Sequence, residues 1–333
     1  MGSLLTSADI RFLTSQLGVH PTKTKGQNFV HDAGTVRKIV RAAHVAPSSR
    51  VLELGSGLGS LTLALLEAGA MVAAVDIDPR LAAALPAIVR VHQPDAGARL
   101  GVTHMDGLRL RGIGDIQLPQ EWTADQQVEG AATRKAPDPD LVVSNLPYNV
   151  AVPLLLHTFD VFGGVKMAVV MVQDEVAHRI AASVGTKDYG VPSLKIAWFG
   201  RAQKVETVSR TVFWPQPHVD SALVRVTRYG DDEAWTMRGI DPAVVERLGE
   251  ASVREATFAV IDAAFLQRRK TLRQSLARWA GSPADAERIV AEAGIDPRSR
   301  AESLELTDYS RLAVSRLAQA QPVGAGVPDK RGE

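Results

Sequence analysis

The sequence predicts an α/β protein: a doubly wound, mostly parallel sheet followed by a smaller all-helical domain. Three observations carry that expectation. Short apolar runs alternate with helical windows between about residues 32 and 229, the pattern of strand–helix–strand units. A glycine-rich turn joins the first of these runs to the helix after it. Beyond Tyr229 the strand signal stops.

Each element follows from local chemistry. Asp32 is an N-cap residue for a helix over 32–43 that puts Val36, Ile39, Val40 and Ala43 on one face. A short apolar strand at 50–54 leads through the glycine turn into an Ala/Leu-rich helix over about 60–68. A second strand, 71–75, ends in Asp76; a helix over about 78–85 and a third strand near 100–104 follow. Residues 111–139 carry Gly, Pro, Gln and Asp without an apolar period, which predicts an extended surface loop or insertion. Alternation resumes with a strand at 140–144, a helix after Pro153 and a buried-type strand at 166–172. Strand-like runs lie near 194–199 and 221–227. The windows 255–279, 283–293 and 307–318 have helical spacing. The predicted organisation is therefore a basic N-terminal arm (1–31), a sheet domain (32–229, insertion 111–139), a helical domain (230–320) and a disordered tail (321–333).

The chain has 333 residues, 45% hydrophobic and 23% charged, with no cysteine. That length suits two modest domains. The missing thiols exclude disulfides, thiolate metal sites and a cysteine nucleophile, and they fit a reducing cytoplasm. No apolar run approaches the roughly 18 residues of a membrane helix. Residues 1–6 lack a basic region followed by an apolar core, so no secretory signal is expected. The formal net charge of +1 hides a layout: +5 over residues 1–50, −6 over 51–180 and +2 over 181–333. An acidic middle between basic ends suits a cofactor in one region and a polyanion in others, although ordinary surface charge gives the same counts.

The turn Glu53-Leu54-Gly55-Ser56-Gly57-Leu58-Gly59 lies between strand and helix. Glycines let the backbone turn sharply and approach a ligand closely, and the helix N-terminus offers free N–H groups to a carboxylate or phosphate. Asp76 lies 21 residues after Gly55, where a carboxylate accepts hydrogen bonds from a ribose diol. The dinucleotide fingerprint G-x-G-x-x-G fails at Ser60. The observed G-x-G-x-G favours the nucleoside of S-adenosylmethionine over a nicotinamide cofactor.

Ser144-Asn145-Leu146-Pro147-Tyr148 follows the fourth strand, whose C-terminal end borders the ligand crevice of such sheets. An adenine exocyclic amine is a poor nucleophile because its lone pair is delocalised. The Asn145 side-chain oxygen and the Leu146 carbonyl can accept its two N–H bonds, Pro147 fixes the turn, and Tyr148 offers a stacking face worth about 1–3 kcal/mol per base. A turn adopted for conformational reasons has the same composition.

These motifs together resemble the rRNA adenine N6-dimethyltransferases over about residues 20–318. Residues 23–30 are similar to that family's leading K-x-x-G-Q-N-F-L, residues 53–59 to its glycine turn, Val75-Asp76-Ile77-Asp78 to its ribose acid, and Met105-Asp106-Gly107 to the segment that contacts the cofactor adenine. Asn145 to Tyr148 is similar to its N-L-P-Y, residues 172–177 to V-Q-x-E-V-A, and residues 213–222 to F-x-P-x-P-x-V-D-S-A. Asp76 stands where Glu is commoner and Ser56 where Pro is frequent. Residues 265–272 and 300–304 resemble the F-x-x-R-R-K-T-L and R-A-E-x-L motifs of its small-subunit branch, and residues 265–278 hold five Lys/Arg and no acid.

The resemblance implies a Rossmann-like class I methyltransferase. It assigns cofactor contacts to Asn28, Val30, Gly55, Asp76, Asp106 and Asn145, and the reaction site to Asn145, Leu146, Tyr148 and Phe213, with Phe213 against the target base. Lys23, Lys25, Arg268, Arg269 and Lys270 are expected to hold RNA, helped by Arg37, Lys38 and Arg41. The implied reaction is S-adenosylmethionine-dependent dimethylation of N6 of two adjacent adenosines near the 3′ end of 16S small-subunit rRNA, leaving S-adenosylhomocysteine. The implied setting is a cytoplasmic monomer acting on a partly assembled 30S subunit, without a metal. Rival readings are a large-subunit rRNA methyltransferase, a non-catalytic assembly factor that kept the fold, and a NAD-dependent dehydrogenase.

Overall fold

Strands buried on both faces read as unbroken apolar runs, and four such runs form the centre of a seven-stranded sheet. A computed structural model describes residues 3–19, 28–123 and 136–320. Lys23, Lys25 and the predicted tail 321–333 lie outside the described residues. The chain divides into two compact units: Met1–Ala181 with Gly200–Arg228, and Ala182–Phe199 with Tyr229–Glu333. The sequence reading draws one boundary at 229; the second unit also takes in Ala182–Phe199.

The first unit opens with α1 (Ser7–Gln16), whose Thr6 and Asp9 form a reciprocal capping box. The predicted arm is thus helical in part. Then come β1 (Phe29–Val30), α2 (Ala33–Ala42), β2 (Arg50–Leu54), α3 (Ser60–Glu67), β3 (Met71–Asp76), α4 (Pro79–His92) and β4 (Leu100–His104). After α5 (Gln120–Thr123) follow β5 (Leu141–Asn145), α6 (Ala151–Val161), β6 (Met167–Gln173) and α7 (Asp174–Ile180). The unit closes with β7 (Gly200–Val208), β8 (Phe213–Trp214) and β9 (Ser221–Arg228). The large sheet has the order β4-β3-β2-β5-β6-β9-β7. Pairings from β4 through β6 are parallel, and β9 runs antiparallel to both β6 and β7. A two-stranded antiparallel ribbon joins β1 to β8. The order reverses between β2 and β5, which makes their C-terminal ends the ligand crevice of this architecture.

Three expectations need correction. The apolar run 194–199 is not a strand: it falls mainly in α8 (Val191–Ala197) of the second unit, with Pro192 in its first turn. Sequence reading missed β7, an edge strand of mixed polar residues that alternation does not reveal, and the two-residue strands β1 and β8. The 111–139 insertion is not an open loop where it is described. Leu110, Ile113, Ile116 and Trp122 are buried, Gln117 N–H donates to Thr103 Oγ1 at 2.7 Å, and a Cβ on Gly101 would lie 2.0 Å from the Gln117 carbonyl oxygen. The segment packs over one face of β4, at Gly101 and Thr103.

The second unit contains α8, α9 (Asp231–Arg238), α10 (Pro242–Leu248), α11 (Glu250–Phe265), α12 (Leu272–Ser275), α13 (Ala277–Ala280), α14 (Pro283–Glu292) and α15 (Leu306–Ala320). A buried stripe on α11, Val253, Thr257, Val260, Ile261 and Ala264, follows the helical repeat. The window of helical spacing at 255–279 is interrupted: residues 266–270 form turns and a bend, and Thr271 bridges Arg300. No helix among the described residues is long and apolar enough to cross a membrane.

The packing of the insertion is testable. Trp122 is 4% exposed and its Nε1 donates to the Pro137 carbonyl at 3.1 Å. Trp122→Ala is expected to lower unfolding free energy in urea by about 3–5 kcal/mol, the cost of emptying an aromatic site; a change below about 0.5 kcal/mol would mean the segment is not packed.

Candidate active site

The crevice opens because β2 and β5 part company. Their ladder pairs Val51 with Leu141 and Leu52 with Val142, after which the Leu54 N–H donates instead to the Ser144 hydroxyl at 2.9 Å. The gap leads into a cavity of about 380 Å³ at the strand ends.

The glycine turn forms its floor. Gly55, Gly57 and Gly59 have φ of +72°, +58° and +89°, the left-handed region that favours glycine. At Gly57 a Cβ would also meet the Phe29 ring at 3.1 Å. Gly59 caps α3 without a side chain, so free N–H groups of its first turn border the cavity. Ser56 and Ser60 line the same wall, and the hydroxyl of each is buried without a partner among the described residues.

Two carboxylates sit beside this turn. Asp76 Oδ2 accepts the Gly57 N–H at 2.7 Å and Oδ1 the Asp78 N–H at 2.9 Å. A carboxylate has about four acceptor positions, so two stay open for a diol. Burial raises the Asp76 carboxyl above its usual range, against those two hydrogen bonds. Glu53 is 1% exposed and accepts from Thr62 Oγ1 at 2.6 Å. Burial pushes its carboxyl up to about 8, opposed by the Thr62 hydrogen bond and reinforced by the nearby Asp76 charge.

On the opposite wall, Asn145 Nδ2 donates to the Asn28 carbonyl at 3.1 Å. The Leu146 N–H donates to the Met171 carbonyl at 3.1 Å, tying the turn to β6. Tyr148 is half-buried with its hydroxyl 2.9 Å from Ser221 Oγ, and burial raises its phenol. Asp106 Oδ1 accepts the Leu108 N–H at 3.0 Å and starts a short 3₁₀ turn.

Eight of the nine residues assigned to cofactor or reaction therefore line one cavity: Asn28, Val30, Gly55, Asp76, Asp106, Asn145, Leu146 and Tyr148. Phe213 does not. It is 3% exposed, paired with Val30 across the β1–β8 ribbon and packed in the core. Sequence reasoning gave no role to Ser144, or to Ser221 within the V-D-S-A motif, because the partner of each hydroxyl is distant in sequence.

The basic run of the second unit is not one helical face. Arg268 Nε is 2.7 Å from Glu302 Oε2, its other end reaches the Thr186 carbonyl at 3.3 Å, and it sits in the turn after α11. Arg269 and Lys270 are exposed there. In the first unit Arg37 pairs with Glu67 and Lys38 with Glu206.

The Glu53 environment sets a pH dependence. Its folded-state pKa lies above its ordinary value, so the folded protein holds this proton more tightly and loses stability as pH climbs from about 4.5 to about 8. Glu53→Gln keeps an acceptor for Thr62 and cannot ionise. Urea titrations at about pH 5 and about pH 8 are expected to show the variant gaining on the wild type by up to a few kcal/mol as pH rises. A gap independent of pH would show that Glu53 is not destabilised by ionisation.

Comparison with known proteins agrees with this geometry. Residues 20–236 match the family described as ribosomal RNA adenine dimethylase. A Thermobifida fusca protein named ribosomal RNA small subunit methyltransferase A is 49% identical over 94% of this chain and 96% of its own length. The crystal structure of a dimethyladenosine transferase from Plasmodium falciparum superposes with a TM-score of 0.63 at 22% identity, covering 88% of this chain and 98% of that one. A 23S rRNA methyltransferase structure gives 0.55 at 22% identity over 86% of this chain and 99% of that one. Both structural matches show the class I methyltransferase fold. On the family match and the near-full-length relative, the chain belongs to the ribosomal RNA adenine dimethylase family.

Proposed function

We propose that this enzyme, as a cytoplasmic monomer, dimethylates N6 of two adjacent adenosines near the 3′ end of 16S rRNA within a partly assembled small subunit, using S-adenosylmethionine. The observation that carries the reading is the orientation of Asn145. With Nδ2 committed to the Asn28 carbonyl, Oδ1 is the group left to accept a substrate N–H. The small-subunit name of the 49% identical relative supports the choice of target over the large subunit.

The cavity fits the cofactor by its own features. The left-handed glycines leave a cradle that side chains would fill, Asp76 keeps two acceptor positions for the ribose diol, and the uncapped α3 start suits a carboxylate. Asn28, Val30, Gly55 and Asp106 complete the wall. S-adenosylmethionine, when bound, supplies the electrophilic methyl group.

The residues of the chain do the positioning. Asn145 Oδ1 and the Leu146 carbonyl hold the two N–H bonds of the amine, which turns the nitrogen lone pair towards the cofactor side. Alignment of this kind lowers the barrier without a general base. Tyr148 provides one stacking face for the base; Phe213 is packed in the core and does not line the cavity. Lys23, Lys25, Arg269 and Lys270 hold phosphates, while Arg268 braces the turn that presents its neighbours. The ion pairs of Arg37 and Lys38 are exposed, so they are weak enough for phosphates to replace.

Mass spectrometry of rRNA from unmethylated small subunits incubated with enzyme and S-adenosylmethionine is expected to yield N6,N6-dimethyladenosine in 16S rRNA. Product only in large-subunit RNA would overturn the target. Asn145→Ala is expected to lower methyl transfer by roughly 10²-fold or more, the scale of losing one preorganised polar contact to the reacting group, with RNA affinity kept; full activity would remove its role. Replacing Arg269 and Lys270 by Glu is expected to flatten the salt dependence of RNA binding by about one to two units of log–log slope. An unchanged slope would take these residues out of the RNA contact.

A further inference from the structure

We propose that Ser221 is a positioning residue for methyl transfer: its hydroxyl latches the far end of Tyr148 and fixes the ring plane that receives the substrate base. The inference rests on the reading of Tyr148 as a stacking face. Stacking needs only a ring, so the hydroxyl of Tyr148 calls for a separate explanation. It lies 2.9 Å from Ser221 Oγ, in a half-buried setting where a phenol needs a partner.

The two ends of this bond differ in rigidity. Tyr148 belongs to the turn after β5, outside regular structure. Ser221 is fully buried and is the first residue of β9, where it pairs with Gln173 of β6 on one side and Val208 of β7 on the other. Its neighbour Asp220 is braced as well: Oδ1 accepts the Arg210 N–H at 2.9 Å and its carbonyl accepts the Asp174 N–H at 3.0 Å. The sheet thus holds a fixed hydroxyl against an aromatic ring carried on a turn, and the ring enters catalysis already oriented. This also gives the V-D-S segment a purpose within the site.

The test uses the full chain and unmethylated small subunits that the wild type methylates. Single-turnover transfer is expected to slow about tenfold in Ser221→Ala and in Tyr148→Phe, with no further loss in the double variant. S-Adenosylhomocysteine affinity, measured by calorimetry, should stay unchanged in all three. In protein labelled with 3-fluorotyrosine, the ¹⁹F signal missing from Tyr148→Phe should be the one that shifts in Ser221→Ala. Additive losses, a wild-type rate in Ser221→Ala, or an unmoved Tyr148 signal would each overturn the latch. A wild type that methylates no adenosine in the subunits would overturn the underlying reading instead, while the ¹⁹F result still reports on the bond itself.

Discussion

The parting of β2 and β5 is the constraint on which the site depends. Parallel strands whose order reverses send their following helices to opposite faces of the sheet, so nothing fills the space above their ends. Here the ladder lapses after Leu52 and Val142. The lapse strands the Leu54 N–H inside the sheet, where an unpaired donor is costly. Ser144 takes that N–H through its hydroxyl, and the two chains can then diverge, one into the glycine turn and the other into the Asn145–Tyr148 turn. The glycine turn and the Asn145–Tyr148 turn face each other across the cavity where one backbone bond is replaced by a side-chain bond.

A second element keeps those walls in register. The segment 28–30, which contains the two-residue β1, meets the glycine turn, the Asn145 amide and β8. Phe29 packs over the missing side chain of Gly57, the Asn28 carbonyl orients the Asn145 amide, and Val30 pairs with Phe213. A two-residue strand has little stability alone. It is held by the glycine turn below and by β8 alongside.

Much of this was legible in the sequence, and the boundary of legibility is physical. The glycine turn, the Asp76 spacing and the N-L-P-Y turn are local, with φ requirements and side-chain chemistry that only certain residues meet. The buried parallel strands announce themselves as apolar runs. What depends on distant partners was not legible. Residues 194–199 have strand composition, yet they lie mostly in a helix begun by Pro192 and packed within the second unit, where Lys195 meets Asp262 and Trp198 meets Phe258. β7 alternates too weakly because it is an edge strand with water on one side. The basic residues of 265–278 cluster in sequence, but the turn at 266–271 and the Arg268–Glu302 pair divide them. Phe213 carries a motif position, and its burial in the core beside Val30 depends on distant packing that the motif does not record.

The electrostatics of the cavity explain why RNA must be gripped elsewhere. Glu53 and Asp76 are both buried, and among the described residues neither is paired with an Arg or Lys side chain. Burial, rather than a partner, is the largest influence on each, and it raises both carboxyl groups. Such a cavity favours a ligand carrying positive charge, which restores the ionised carboxylates at lower cost, and it disfavours a phosphate backbone. A base without its phosphates can still enter, provided it is turned out of its strand. The acidic middle of the sequence and its basic ends are consistent with the proposed function, in which the site accepts a cation and a neutral base while the polyanion that delivers the base is held outside it.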